Sequence, residues 1–298
     1  MNSILKKGIA ILSVSILMIL AACQGEASDG NTEEKNEAAD ITEIVGIEPG
    51  SGTMEITEKT VEAYNLDVEL IPSTEPAMLT EMLHAMENEE PIVVTLWQPH
   101  WMFSEYDLKF LEDPQGTLGE SENIHTMVRQ GLEEDHPSAY QLLDNFHWEV
   151  SDMNEVMAKF GQSGLEPREA AEEWIADNRD KVEGWMEGIE PVNNETIELT
   201  YVNWDTELSS TNVVALVLEE LGYTVELTAL DMGIAFESLS VGEVDGMLIA
   251  WLPVGAASYA EQYQDEIVDL GPNLEGAQQG FVVPEYMEID SIEDLPTK

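Results

Sequence analysis

Pro91-Ile92-Val93-Val94-Thr95-Leu96-Trp97-Gln98-Pro99 decides how the rest of the chain is read. Ile92, Val93 and Val94 are apolar on successive positions, as a strand covered on both faces of a parallel sheet requires. A second stretch, Met247-Leu248-Ile249-Ala250-Trp251-Leu252-Pro253, repeats the form and the Trp-x-Pro ending. Upstream of the first lie a strand (Ile41 to Ile47), a Gly-rich turn (Pro49-Gly50-Ser51-Gly52), a helix (Met54 to Leu66), a strand (Val68 to Ile71) and a helix (Ala77 to Glu90). Upstream of the second come a strand (Ile197 to Trp204), a polar turn (Asp205 to Ser210) and a helix (Thr211 to Leu221) that Gly222 can end. A strand (Tyr223 to Leu230) and a helical piece (Gly233 to Leu239) complete that half. Both halves read β-α-β-α-β, the order of an α/β fold with parallel strands and right-handed crossovers. Residues 120 to 190 between them read as helical. Trp174 and Trp185, 11 positions apart, share a helical face and are assigned to the core, as are Trp101 and Trp148.

Parallel α/β sheets place ligands at the carboxyl ends of their strands. Trp97, Trp204 and Trp251 all fall at such ends, in two matched halves. Ordinary core packing would explain one such tryptophan; three at corresponding places point to a cleft. Converging aromatic faces suit a cation that cannot donate strong hydrogen bonds, each face contributing about 0.5–2 kcal/mol. Three faces supply roughly 2–6 kcal/mol, against about 8 for micromolar binding, so a second recognition element is needed. The turn ending in Gly52 follows a strand and opens a helix, and the free N–H groups of Gly52 and Thr53 favour an anion. A cationic pole with an anionic pole describes a small zwitterion carrying a methylated ammonium. The Gly-x-Ser-x-Gly, His-Glu-x-x-His and P-loop patterns are absent, and the five histidines show no metal spacing. No catalytic residue, metal or cofactor is therefore expected.

Composition bounds these readings. The 298 residues suit two domains of ordinary size, and 43% apolar with 24% charged residues suits a folded chain. With 11 basic and 61 acidic residues, the net charge of −50 argues strongly against nucleic-acid binding and against docking on anionic lipid through a basic patch. Residues 1–22 carry Lys6 and Lys7 before an apolar run, the layout of a signal peptide. The run ends in Leu20-Ala21-Ala22-Cys23, and Cys23, the sole cysteine, stands where a lipobox needs the residue that takes lipid. Residues 23–40 are rich in Glu, Asn, Gly and Ser and read as a flexible acidic tether. The expected location is extracytoplasmic, held at a bacterial cell membrane by acyl chains.

Gly46 to Gly52, Trp97-Gln98-Pro99-His100-Trp101, Phe103 to Lys109, Asn203-Trp204-Asp205, Trp251-Leu252-Pro253 and Val282 to Met287 occur in an order that resembles one family. That family is the glycine betaine/proline betaine-binding lipoproteins of osmoprotectant ABC importers, in its circularly permuted branch. The resemblance implies a type II periplasmic-binding-protein fold, two Rossmann-like lobes with a ligand cleft between them. Lobe I would comprise residues 41–115 with 280–298, and lobe II residues 116–279. It implies a cation cage of Trp97, Trp204 and Trp251, and a carboxylate held by the N–H groups of Gly52 and Thr53. The implied partners are a permease and an ATPase on other chains. The chain departs from the family pattern at Ala256, where a histidine would bond the ligand carboxylate, and at Thr53, apolar in a close relative. Either the Thr53 hydroxyl compensates, or the preferred ligand shifts towards choline, carnitine or a sulfonium analogue. A surface enzyme acting on a quaternary ammonium metabolite is the rival from another class.

Self-repulsion among so many carboxylates destabilises a compact state unless salt screens it. On the hypothesis that the acidity suits a saline or alkaline setting, the unfolding midpoint rises along a salt series; a flat series would contradict it.

Overall fold

The computed structural model describes residues 41–119 and 121–298; the signal peptide, Cys23 and the acidic tether lie outside the described residues. The first half begins with β1 (Glu43–Val45), α1 (Gly52–Ala63), β2 (Glu69–Ile71), α2 (Glu75–Asn88) and β3 (Val94–Gln98). β1 pairs in parallel with both β2 and β3, giving the order β2-β1-β3 that two right-handed crossovers produce. Ser51 caps α1, its Oγ accepting the Met54 N–H at 3.3 Å, and Thr74 caps α2 in the same way.

After β3 come α3 (Met102–Glu105), β4 (Leu108–Phe110) and β5 (Glu122–Arg129). The helices α4 (Leu132–Asp135), α5 (Pro137–Asn145), α6 (Val150–Ser163), α7 (Pro167–Asp177) and α8 (Arg179–Trp185) follow. The helical reading of residues 120 to 190 thus holds from Leu132 onward, whereas 122–129 is a strand. Trp174 and Trp185 sit on separate helices, α7 and α8, because the first ends at Asp177. They stack nonetheless, with ring centroids 6.0 Å apart, and with Phe146 and Trp148 form a buried aromatic cluster. Ala170, Ala171, Trp174 and Ile175 make the buried stripe of α7, which packs on α6 and on the long helix of the second half.

That second half is β6 (Thr196–Tyr201), α9 (Asp205–Glu220), β7 (Thr224–Ala229), α10 (Met232–Val241) and β8 (Gly246–Leu252). β6 pairs in parallel with β7 and β8, repeating the order of the first half as β7-β6-β8. The expected turn over Asp205 to Ser210 is instead the start of α9. Asp205 and Glu207 suit the positive end of a helix, and the buried Thr206, Ser209 and Ser210 hide the helical period because they are polar.

Last come α11 (Ala257–Gln262), the 18-residue β9 (Ile267–Pro284) and a short 3-10 turn at Ile292–Asp294. β9 joins the halves. Ile267 to Ala277 runs antiparallel to β5, which is antiparallel to β8, and Gln278 to Pro284 runs antiparallel to β3 and β4. One mixed sheet results, ordered β2-β1-β3-β9-β5-β8-β6-β7 with β4 also on β9. The parallel reading is right for each β-α-β-α-β unit and incomplete for the sheet. Among the described residues no helix is long and apolar enough to cross a membrane.

Candidate ligand cavity

The two Trp-x-Pro strand ends face each other across a small cavity, with about 310 Å³ of space between the atoms when its opening to solvent is included. Trp97 projects into it from the end of β3 and Trp251 from the end of β8. Trp204 is not in a strand: it lies beyond β6 and is the N-cap residue of α9. All three line the cavity and are at most 6% exposed. Trp97 and Trp204 have ring centroids 5.9 Å apart, tilted by 50°. Ile47 and Met232 add apolar lining.

The opposite pole is the start of α1. Gly52 and Thr53 line the cavity, and their N–H groups, in the first turn of the helix, have no acceptor among the described residues. Gly52 is required by close approach. A Cβ there would lie 1.4 Å from the Gly255 carbonyl oxygen, so only glycine lets α1 meet the loop after β8. All five residues expected at the site therefore line one cavity. Ala256 is fully buried behind it, its N–H donating to the Trp251 carbonyl. The Thr53 hydroxyl is already engaged, donating to Gln279 Oε1 at 2.7 Å. Gln279, unmarked in the sequence reading, also lines the cavity from β9, directly opposite Trp97 in the ladder.

A profile described as the substrate binding domain of the ABC-type glycine betaine transport system, OpuAC, matches residues 27–177 and 195–298. The chain belongs to the OpuAC family. The glycine betaine/carnitine transport binding protein GbuC of Listeria monocytogenes serotype 1/2a (strain 10403S) is 45% identical over 292 residues, 97% of each chain. Lactococcal OpuAC, solved in its closed-liganded conformation with glycine betaine, shares 46% identity over 50% of this chain and 61% of its own, with a TM-score of 0.48. An ABC-transporter choline binding protein, solved with choline, shares 25% identity over 64% of this chain and 62% of its own, with a TM-score of 0.46. Each of these solved chains is matched over less than two thirds of its length.

In this OpuAC-family chain, acidic side chains hold two of the three indoles by their N–H groups. Trp204 Nε1 donates to Glu48 Oε2 at 2.8 Å, and Trp251 Nε1 to Glu207 Oε1 at 3.1 Å. Trp97 Nε1 is buried without an acceptor among the described residues, and His100 meets the Trp97 ring edge-on at 5.6 Å. His100 also belongs to a buried group that no spacing in the sequence revealed. Its Nε2, Glu75 and Asp205 bring ligand-type atoms within 4.8 Å of one another. The imidazole has no lone pair left for a metal. Nδ1 accepts the Met102 N–H at 3.2 Å, so Nε2 carries the proton and donates to Glu75 at 2.8 Å. Burial pushes the imidazole down to about 4 and raises the Glu75 carboxyl, keeping the histidine neutral. Glu75 also accepts the Asp205 N–H at 2.9 Å, and Trp101 Nε1 donates to Asp205 at 2.7 Å. These bonds tie the first half to the start of α9, so Trp101 packs and also bridges.

Glu207 is fully buried, and burial raises its carboxyl to about 8, with the Glu75 charge adding to the rise. The Thr206 hydroxyl and the Trp251 indole N–H oppose the shift by stabilising the ionised form. A raised native pKa means that the folded chain keeps a proton which the unfolded chain loses above the ordinary value of 4.5. Its stabilising contribution is complete below that value and is lost as pH rises through about 8. Glu207→Gln keeps an acceptor for Trp251 and cannot titrate. Between about pH 5 and about pH 8 the wild-type unfolding midpoint should fall more steeply than that of the variant. Parallel pH profiles would contradict this assignment.

Proposed function

We propose that the chain is the extracytoplasmic solute-binding lipoprotein of an ABC importer, capturing glycine betaine or a closely related methylated zwitterion. One observation carries the reading: three indoles from both halves and two N–H groups at the start of α1, without an acceptor among the described residues, line the same cavity. The indole faces would take the methylated ammonium, and Gly52 and Thr53 the carboxylate. The name of GbuC supports a betaine-class ligand, and its carnitine leaves a longer zwitterion as the second reading. Uptake of an osmoprotectant would follow through a permease and an ATPase on other chains.

The proposed lobes are residues 41–115 with 280–298, and residues 116–279. β9 changes partners between Ala277 and Gln278, close to the second boundary. Trp97, Gly52 and Thr53 then belong to one lobe and Trp204 and Trp251 to the other, so binding requires closure. Tyr259, donating to the Gly50 carbonyl at 2.7 Å, would be one of the closing contacts.

Calorimetric titration of the chain lacking residues 1–23 tests the ligand. Heat with glycine betaine and little with choline supports the zwitterion; the reverse preference points to choline, and heat from neither overturns the reading. Trp97→Ala, Trp204→Ala and Trp251→Ala should each weaken binding at least about tenfold, or about 1.4 kcal/mol. Normal affinity in two of the three would remove the cage. For the anchor, Cys23→Ser should abolish incorporation of labelled fatty acid and move the protein out of the membrane fraction. Retention with undiminished labelling would exclude Cys23 as the lipidated residue.

A further inference from the structure

We infer that Gln279 supplies a third donor to the ligand's carboxylate and sets the preference for zwitterions over plain cations. The inference rests on the betaine-class reading of the cavity. Gln279 lies on β9 opposite Trp97, and residues opposite each other in an antiparallel pair project to the same face. Its side chain lines the cavity beside the first turn of α1.

Both ends of the amide are fixed by neighbouring side chains. Oε1 accepts the Thr53 hydroxyl at 2.7 Å, and Nε2 donates to Glu122 Oε1. Glu122 is buried, and its other oxygen accepts the N–H groups of Val254 at 3.0 Å and Gly255 at 2.7 Å. Since Glu122 accepts, the amide atom facing it is the nitrogen, which settles the orientation of the group. An amide nitrogen carries two hydrogens. One goes to Glu122, and the second has no acceptor among the described residues.

Nε2 is also close to the α1 pole. A Cβ on Gly255 would lie 3.0 Å from it, and Gly255 is the residue against which Gly52 packs. Two backbone N–H groups and one anchored amide N–H thus share one wall of the cavity. Ala256 presents no polar atom there beyond a backbone N–H already bonded to Trp251. The Thr53 hydroxyl, a candidate donor to the ligand from the sequence, serves here to hold Gln279 in place.

The test is calorimetric titration of the purified full chain with glycine betaine and with choline, which shares the trimethylammonium group and lacks the carboxylate. Gln279→Met, similar in size and without donors, should lose about ten- to a hundredfold in betaine affinity, as loss of a hydrogen bond to a charged group predicts. Its choline affinity should stay within about threefold, because the indole faces remain. Gln279→Glu keeps the size and sets a second acidic group beside Glu122. It should lose at least as much for betaine while sparing choline. Unchanged betaine affinity in both variants overturns the inference. So does an equal loss for both ligands, which would make Gln279 a packing residue. A wild-type chain that binds neither ligand overturns the betaine-class reading itself, and this inference with it.

Discussion

The close approach of Gly52 to Gly255 is the constraint on which the site depends. The start of α1 meets the loop after β8 with no room for a side chain at position 52. That contact sets the N–H groups at the start of α1 against the indoles of the second half. Hydrogen bonds across the same divide reinforce it: Trp204 to Glu48, Trp101 to Asp205, the Asp205 N–H to Glu75, and Tyr259 to the Gly50 carbonyl. Neither half contains a full site. Trp97 and α1 come from one, Trp204 and Trp251 from the other, and Gln279 from the strand that joins them.

The acidic composition reappears around the cavity with a different role. Glu48, Glu75, Glu122 and Glu207 each accept an N–H from an indole, an imidazole, an amide or the backbone around the cavity. A buried carboxyl is costly unless such donors satisfy it. Here the donors are mostly neutral groups rather than lysine or arginine, in keeping with only 11 basic residues in the chain. Negative polarity at the N–H edge of Trp204, through Glu48, strengthens the face that ring would present to a cation.

Much of this was legible in the sequence because the repeated unit is local. The apolar runs ending in Trp97-Gln98-Pro99 and Trp251-Leu252-Pro253 each specify a buried parallel strand and the aromatic residue at its end. The Gly-rich turn before α1 marked, by the same short-range logic, the helix start that lines the cavity. The start of α9 escaped because its first turn buries polar side chains, which erases the helical hydrophobic period. β9 escaped because its partners, β3 and β5, are far away in sequence and its residues alternate irregularly between buried and exposed. Gln279 and Glu122 carry no local signal. Their meaning arises only when β9 and β5 are brought together beside α1.

A crystal structure of the chain with glycine betaine tests the central claim most directly, that one cavity built from both halves holds both poles of a zwitterion. The account predicts the carboxylate oxygens within about 3.2 Å of the Gly52 and Thr53 nitrogens. It places the quaternary nitrogen within about 6 Å of the ring centroids of Trp97, Trp204 and Trp251. Ligand bound to one half alone, or with its carboxylate turned towards the indoles, would contradict it.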